Sequence, residues 1–393
     1  MILVLEGLFW LSIFTVFYAY FGYLILLWLI SLIKTGRTTD NLTDNLIEKP
    51  IPAFQMVTLL ISAYNEEKNI EKKLSNSLDL NYPKNLLEII VVSDGSTDRT
   101  NEIVAGYADK GVNLCHYEGR IGKTACLNKS IPLAKGDIIV FSDANSLYNP
   151  DAILSMVRHF EDDRIGFVTG YTEYVLEGGE SNLASVGLYA KIEILAKKLE
   201  SRISSCVGAD GAIFAIRKNL YQSLMSYDIN DFVIPLNIIR QGYRGVFEED
   251  AYCLEKTARD QRGEFNRQTR ITSRTLRALF KRTDLLNPFK YPMFSFELIS
   301  HKLIKFIVPF LLVIIFILNI VILGRQGGIY LITFSAQILF YFLGCLGNLQ
   351  DNIKFLSKIN AHCKTFILVN FAIFLGWLKY IQGETYTTWQ PDR

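Results

Sequence analysis

Asp143 and Asn145 stand two residues apart in GDIIVFSDANSLYN, the stretch from Gly136 to Asn149. A carboxylate and a carboxamide at that spacing on an extended turn can point the same way and offer hard oxygens to Mg²⁺ or Mn²⁺. A cation held there would grip a diphosphate. Ile138 to Phe141, just before them, is a short apolar run, the pattern of a strand buried on both faces of a parallel sheet. Ligands of open α/β sheets collect at the carboxyl ends of such strands. An isolated Asp-x-Asn equally well shapes a turn before a helix, here one starting near Pro150-Asp151. The neighbouring motifs must decide.

Three more turns carry polar groups: Ala63-Tyr64-Asn65-Glu66-Glu67, Asp94-Gly95-Ser96-Thr97-Asp98 and Gly119-Arg120-Ile121-Gly122-Lys123. The first lacks the Gly-x-Gly-x-x-Gly of a dinucleotide site, which argues against a dehydrogenase. The third ends Gly-Lys-Thr, but its glycines stand too close together to form a P-loop cradle, which argues against a kinase or ATPase. Asp94 suits hydrogen bonds to a base or ribose, and Lys123 or Arg120 to phosphate. Asp94 and Asp98 could also simply cap the helix that follows.

Alternating elements position these turns. The pattern predicts strands over Val57–Ser62, Glu88–Ser93, Val112–Tyr117, Ile138–Phe141 and Arg164–Gly170. Between them it predicts helices over Glu66–Leu78, Asp98–Ala108 and Gly122–Leu133, with an amphipathic helix over Leu183–Ser201. This is a doubly wound α/β layout.

Taken together, Ala63-Tyr64-Asn65-Glu66-Glu67, Val92 to Asp98, Gly122-Lys123 leading to Leu127-Asn128, and Asp143-Ala144-Asn145 resemble the successive nucleotide-sugar motifs of family 2 glycosyltransferases. The resemblance covers Val57 to Arg282 and implies a GT-A fold, a UDP-sugar or similar donor, Mg²⁺ or Mn²⁺, and inversion at the anomeric carbon. Carried over by residue, it implies that Tyr64, Glu66 and Asp94 hold the nucleoside, with Lys123 on the phosphates. Asp143 and Asn145 would meet the metal. The family usually has a second Asp where this chain has Asn145, which leaves one charge fewer on the cation.

The acceptor half is similar too. Gly208 to Phe214 followed by Arg217 resembles the family's small-residue loop beneath the acceptor, which implicates Asp210 and Gly211. Asn230-Asp231-Phe232 resembles the Thr-Glu-Asp segment of cellulose and hyaluronan synthases. Asp231 is therefore the expected general base, with Asp228, Glu249 and Asp250 as rivals. Polymerising members carry Gln-x-x-Arg-Trp where this chain has Arg267-Gln268-Thr269-Arg270-Ile271. Arg270, aided by Arg267, would stabilise the departing diphosphate. The stretch Glu264 to Arg282 is also what a solvated face or a lipid-facing basic helix looks like.

Half of the 393 residues are hydrophobic and mean hydropathy is positive, as suits a chain partly in a membrane. The net charge of +2 says little about partners. The six cysteines and four histidines show no metal or disulfide spacing, and His159 reads as structural or exposed. The expected domains are a transmembrane helix over 1–34, a linker over 35–54, and a cytoplasmic catalytic domain over 55–282. An interfacial helix over 283–302, transmembrane segments over 303–382 and a tail over 383–393 would follow. Spans are expected at Leu303–Gly324 and Gly328–Leu346, with Thr365–Ile381 of borderline length. The tail, with Trp389, would lie outside if that last segment crosses. It also resembles the Trp-containing intracellular segment of hyaluronan synthases.

The expected function is polysaccharide synthesis by an inverting, multi-pass enzyme of the cell (inner) membrane. A nucleotide-sugar, a polysaccharide or lipid-linked acceptor, membrane lipid, and export or outer-surface assembly proteins are the expected partners; nucleic acid is not. One alternative is transfer of a single sugar to a polyprenyl phosphate or lipid. The other is a non-catalytic export subunit, against which stands the near absence of charge in the expected spans.

Overall fold

The computed structural model describes residues 2–35, 54–175, 188–256, 261–346 and 354–387. Most of the expected linker and the Trp389 end of the tail lie outside the described residues.

One sheet organises the site. Its strands are β1 (Val57–Ala63), β2 (Leu87–Asp94), β3 (Val112–Tyr117), β4 (Ile138–Asp143), β5 (Leu147–Tyr148), β6 (Ile165–Val175), β7 (Ile213–Arg217) and β8 (Arg244–Lys256). They run in the order β3-β2-β1-β4-β7-β6-β8-β5. All seven residues of β1 are buried, because it is flanked by parallel strands and covered on both faces. The parallel register pairs Ala63 with Ser93, Ser62 with Asp143, and Asp94 with Tyr117. The carboxyl ends of four strands are thus level, and the turns singled out in the sequence leave from one edge.

The sheet is mixed beyond β4. β7 runs antiparallel to β4, with Ser142 opposite Ile213. A parallel strand there would carry the preceding loop to the far edge; the antiparallel one brings residues 208–212 beside Asp143. Phe141 and Phe214 stack across this pair at 4.3 Å between ring centres, worth about 0.5–1.5 kcal/mol beyond the area they bury.

The chain forms two compact units, one comprising Leu26–Arg259, Arg282–Ser295 and Thr385–Arg393, the other Met1–Ile25, Asp260–Lys281 and Phe296–Glu384. The sheet belongs to the first. The helix Gln261–Lys281 goes with the helical unit, whereas the sequence placed it in the domain expected over 55–282. Although basic overall, this helix buries a stripe of Thr269, Thr272, Ser273, Leu276 and Leu279. Its Phe280 stacks on Tyr380 of the helix Lys354–Ile381, with ring centres 5.5 Å apart. Small side chains let the two helices close up: a Cβ on Gly376 would sit 2.6 Å from Thr272 Cβ.

Three helical segments, Ile2–Lys34, Pro292–Leu323 and Ile359–Ile381, are long and apolar enough to cross a membrane by length and composition. The last is longer than Thr365–Ile381, whereas Ile329–Cys345 falls among the shorter apolar helices. The expected interfacial helix over 283–302 is corrected: a 3₁₀ turn at Thr283–Leu286 precedes a helix that runs from Pro292 through a π turn at Ile299–Leu303 to Leu323. No proline or glycine falls at 302 to break it. Continuity puts Glu297, His301 and Lys305 on one face at i, i+4 and i+8, all buried. Of these, only Lys305 falls within the expected span Leu303–Gly324; Glu297 and His301 precede it in the same continuous helix.

Candidate active site

Glycine and asparagine backbones zip the first two turns together. Asn65 adopts φ +53°, and its Oδ1 accepts the Thr97 N–H at 2.7 Å while its own N–H donates to Ser96 Oγ. Gly95 has φ +68°, and a Cβ there would lie 2.4 Å from the Gly119 carbonyl oxygen. Gly95→Ala should therefore cost roughly 1–3 kcal/mol and loosen nucleotide binding. A melting curve and a UDP titration on the variant check this, and an unchanged melting temperature would show that the contact carries no weight.

Asp94 ends β2 with 3 % exposure. Its Oδ1 accepts the Ile121 and Gly122 N–H groups at 2.8 and 3.0 Å, which fixes the turn before the helix Lys123–Ser130. Cys126 Sγ lies 3.5 Å from the same oxygen. Burial and the Asp94 charge push the Cys126 thiol up to about 12, so it stays protonated and donates. Asp94 Oδ2 has no hydrogen-bond partner among the described residues, with Arg120 Nε 4.0 Å away. The Arg120 guanidinium lies 3.5 Å over the Tyr64 ring, forming a flat wall beside that oxygen. An aromatic–arginine face next to a buried acceptor suits a nucleobase.

Lys123 donates to Asp143 Oδ1 at 2.5 Å, so the phosphate candidate and the cation candidate face each other. Asn145 is exposed beside them. Among the described residues no cluster of three or more His, Cys, Asp or Glu could hold a metal. One carboxylate and one carboxamide, both hard oxygen donors, fit a Mg²⁺ or Mn²⁺ whose remaining ligands come from a diphosphate and water.

The acceptor side is built on a proline. In the helix Asn230–Arg240, Pro235 has no N–H to give the Asp231 carbonyl four residues back. That carbonyl instead accepts the Ala209 N–H at 2.8 Å, which docks the 208–212 loop on the helix. A Cβ on Gly211 would sit 3.0 Å from Asp231 Oδ2, so only glycine admits the carboxylate so closely. Since β4 and β7 pair up to Ser142 and Ile213, Asp143 and Gly211 emerge side by side.

Several expected residues are engaged within their own unit. Asp210 accepts from the Thr172 N–H and hydroxyl at 3.0 and 2.9 Å and from the Ala212 N–H, so its carboxylate is used inside the fold to hold the loop. Glu66 is 6 % exposed and accepts from Asn69 Nδ2 at 2.8 Å, which turns it toward its own helix. Arg267 and Arg270 lie in the helical unit, where Arg267 pairs with Glu264 at 2.8 Å. The rivals for the base are engaged or remote in character. Asp228 is buried with Arg282 at 3.6 Å, Glu249 bonds Lys198 at 2.5 Å, and Asp250 is exposed on β8. His159 pairs with Glu248 at 2.6 Å, a structural use.

Some contributors show their part only in the structure, although Asn128 belongs to a motif quoted above. Asn128 clamps Leu224 through both its amide groups and accepts from the Tyr221 hydroxyl, while Thr124 bonds the Asp228 carbonyl. Together they fix the approach to Asp231. In the tail, Thr387 packs on the site: a Cβ on Gly122 would lie 2.3 Å from its carbonyl oxygen.

Residues 58–223 match the family described as Glycosyl transferase family 2. Poly-beta-1,6-N-acetyl-D-glucosamine synthase of Staphylococcus aureus is 28 % identical over 228 residues, 55 % of this chain and 54 % of that protein. The chain thus spans about half the length of the curated relatives it matches first. Beta-monoglucosyldiacylglycerol synthase of a Nostoc species is 34 % identical over 120 residues, 30 % of this chain and 26 % of that protein. Among solved structures, the mannosyltransferase PcManGT from Pyrobaculum calidifontis, in complex with GDP-Man and Mn²⁺, superposes with a TM-score of 0.69 at 19 % identity, covering 96 % of this chain and 99 % of that one. The unit that carries the sheet has the GT-A type of fold that the sequence resemblance implied.

Proposed function

We propose that this chain transfers a sugar, with inversion, from a nucleotide-sugar donor to a growing polysaccharide, as a multi-pass enzyme of the cell membrane whose catalytic domain faces the cytoplasm. The observation that carries the reading is the succession Tyr64–Arg120, Asp94, Lys123–Asp143 and Gly211–Asp231 along one sheet edge. It supplies in order a base wall, a base acceptor, a diphosphate position and a carboxylate for the acceptor hydroxyl. A UDP-sugar is the first candidate because Asp94 Oδ2 can accept an N–H from the base.

Mg²⁺ or Mn²⁺ on Asp143 and Asn145 would neutralise charge on the leaving diphosphate. The chain's own groups do the rest. Lys123, once parted from Asp143, can reach a phosphate oxygen. Asp231 takes the proton of the acceptor hydroxyl as that oxygen bonds the anomeric carbon, and the bond to the nucleoside diphosphate breaks in line. A single displacement with one base and no enzyme nucleophile inverts the centre. The part of Arg270 and Arg267 at the diphosphate rests on the sequence pattern alone.

A second reading, transfer of one sugar to a polyprenyl phosphate or other lipid, is favoured by the missing Gln and Trp around Arg270 and by the partial likeness to a glycolipid synthase. Incorporation of radiolabelled sugar from a panel of UDP- and GDP-sugars by membranes containing the protein, with Mn²⁺ or Mg²⁺ against EDTA, separates the two. High-mass product supports the synthase, a small lipid-extractable product the single transfer, and silence across the panel sinks both.

A further inference from the structure

The helix Ile70–Leu78 buries Ile70, Lys73, Leu74 and Ser77, a core stripe with a lysine in it. Neighbouring Lys72 is exposed, whereas Lys73 has no exposure at all. An ammonium so placed is costly unless it is paired and hydrogen-bonded. It donates to the Ser146 carbonyl at 2.6 Å and lies 3.9 Å over the Tyr148 ring. Ser146 Oγ donates in turn to Glu255 Oε1 on β8. Burial lowers Lys73 to about 7, against the pull of Cys253, Asp143 and Glu255.

The same helix grips the turn a second time. Asn76 donates to the Tyr148 carbonyl at 2.9 Å and accepts its N–H at 2.8 Å. The Tyr148 hydroxyl reaches the Phe141 carbonyl at 2.7 Å and the Ala212 carbonyl at 3.0 Å. The turn from Asp143 to Tyr148 is thereby fastened from below at Ser146 and at Tyr148, while Asn145 itself is exposed. Asn76 and Tyr148 make neutral amide and hydroxyl bonds. Lys73 brings a cationic group, and it bonds the backbone of the residue next to Asn145, whose side chain Glu255 takes from the other side.

We propose that Lys73 is a positioning residue for the cation-binding turn, holding the Ser146 carbonyl so that Asp143 and Asn145 keep a common direction. The proposal rests on the donor and cation reading above. Removal of such a support costs about 10–100-fold in metal affinity, with little effect on groups that touch only the base.

The test measures Mn²⁺ affinity in the presence of UDP, by manganese spin resonance, and UDP affinity in EDTA, on the full chain in detergent. It compares wild type with Lys73→Met and with Lys73→Met/Glu255→Gln, the second of which also removes the carboxylate charge on the far side of Ser146 should the first fail to fold. The expected result is a double variant that melts near wild type, binds UDP in EDTA unchanged, and takes up Mn²⁺ about 10–100-fold more weakly. Wild-type Mn²⁺ affinity in the double variant overturns the proposal and leaves Lys73 as a counter-charge to Glu255. Equal weakening of both affinities also overturns it, as the mark of general loosening. Wild type that shows no Mn²⁺-dependent UDP binding sinks the underlying donor reading instead.

Discussion

Asp231→Asn is expected to lower sugar transfer by about 10²–10⁴-fold while nucleotide binding stays as in wild type. Asparagine keeps the shape against Gly211, where a Cβ would already stand 3.0 Å from Asp231 Oδ2, so the loop should not move. The backbone bond from Ala209 to the Asp231 carbonyl is untouched by the change. What is lost is the ability to take a proton. Single-turnover transfer and UDP titration on the same preparation give the two numbers. Transfer within a few fold of wild type would move the base to another residue, and parallel loss of UDP binding would make Asp231 a structural support.

Asp143→Asn should be nearly as severe, with roughly 10²-fold or greater loss of transfer, concentrated in the response to the cation. The substitution leaves two carboxamides where one carboxylate stood, so no protein charge opposes the metal. Lys123 meanwhile loses the partner it holds at 2.5 Å. The complementary change, Asn145→Asp, adds the charge this chain lacks and should tighten Mn²⁺ by about tenfold, the equivalent of 1.4 kcal/mol. Mn²⁺ titrations of both variants decide the point. If Asp143→Asn keeps the wild-type Mn²⁺ dependence, the cation is held elsewhere.

Much of the sheet edge could be read in the sequence. β1, β2 and β4 are almost wholly buried, so each shows as a largely apolar run, and the polar residues that end the runs mark the edge. Val112–Tyr117 is a strand over the span the pattern gives, and β2 differs by one residue at each end. Residues whose part depends on a distant partner were not legible. Asp210 reads as an acceptor contact until Thr172 is seen to hold it, and Lys73 reads as one of two surface lysines until Ser146 and Tyr148 close over it. Pro235 looks like a helix fault; its missing N–H is what frees a carbonyl for Ala209. The basic helix is a related case. The stretch Glu264 to Arg282 reads by charge as a solvated or lipid-facing basic face, or as a site for the diphosphate, whereas the helix Gln261–Lys281 buries a stripe of small side chains.

The contact of Thr387 with Gly122 closes a long excursion of the chain. Lys34, at the end of the first long apolar helix, donates to the Ile203 carbonyl, and Thr387, past the last one, abuts Gly122. Both contacts are made within the unit that carries the sheet. The chain leaves that unit after Ser295 and is back on it at Thr385. The helices Ile304–Leu323, Ile329–Cys345 and Lys354–Ile381 lie in the interval, so this helical stretch is tethered to the sheet-bearing unit at both of its ends.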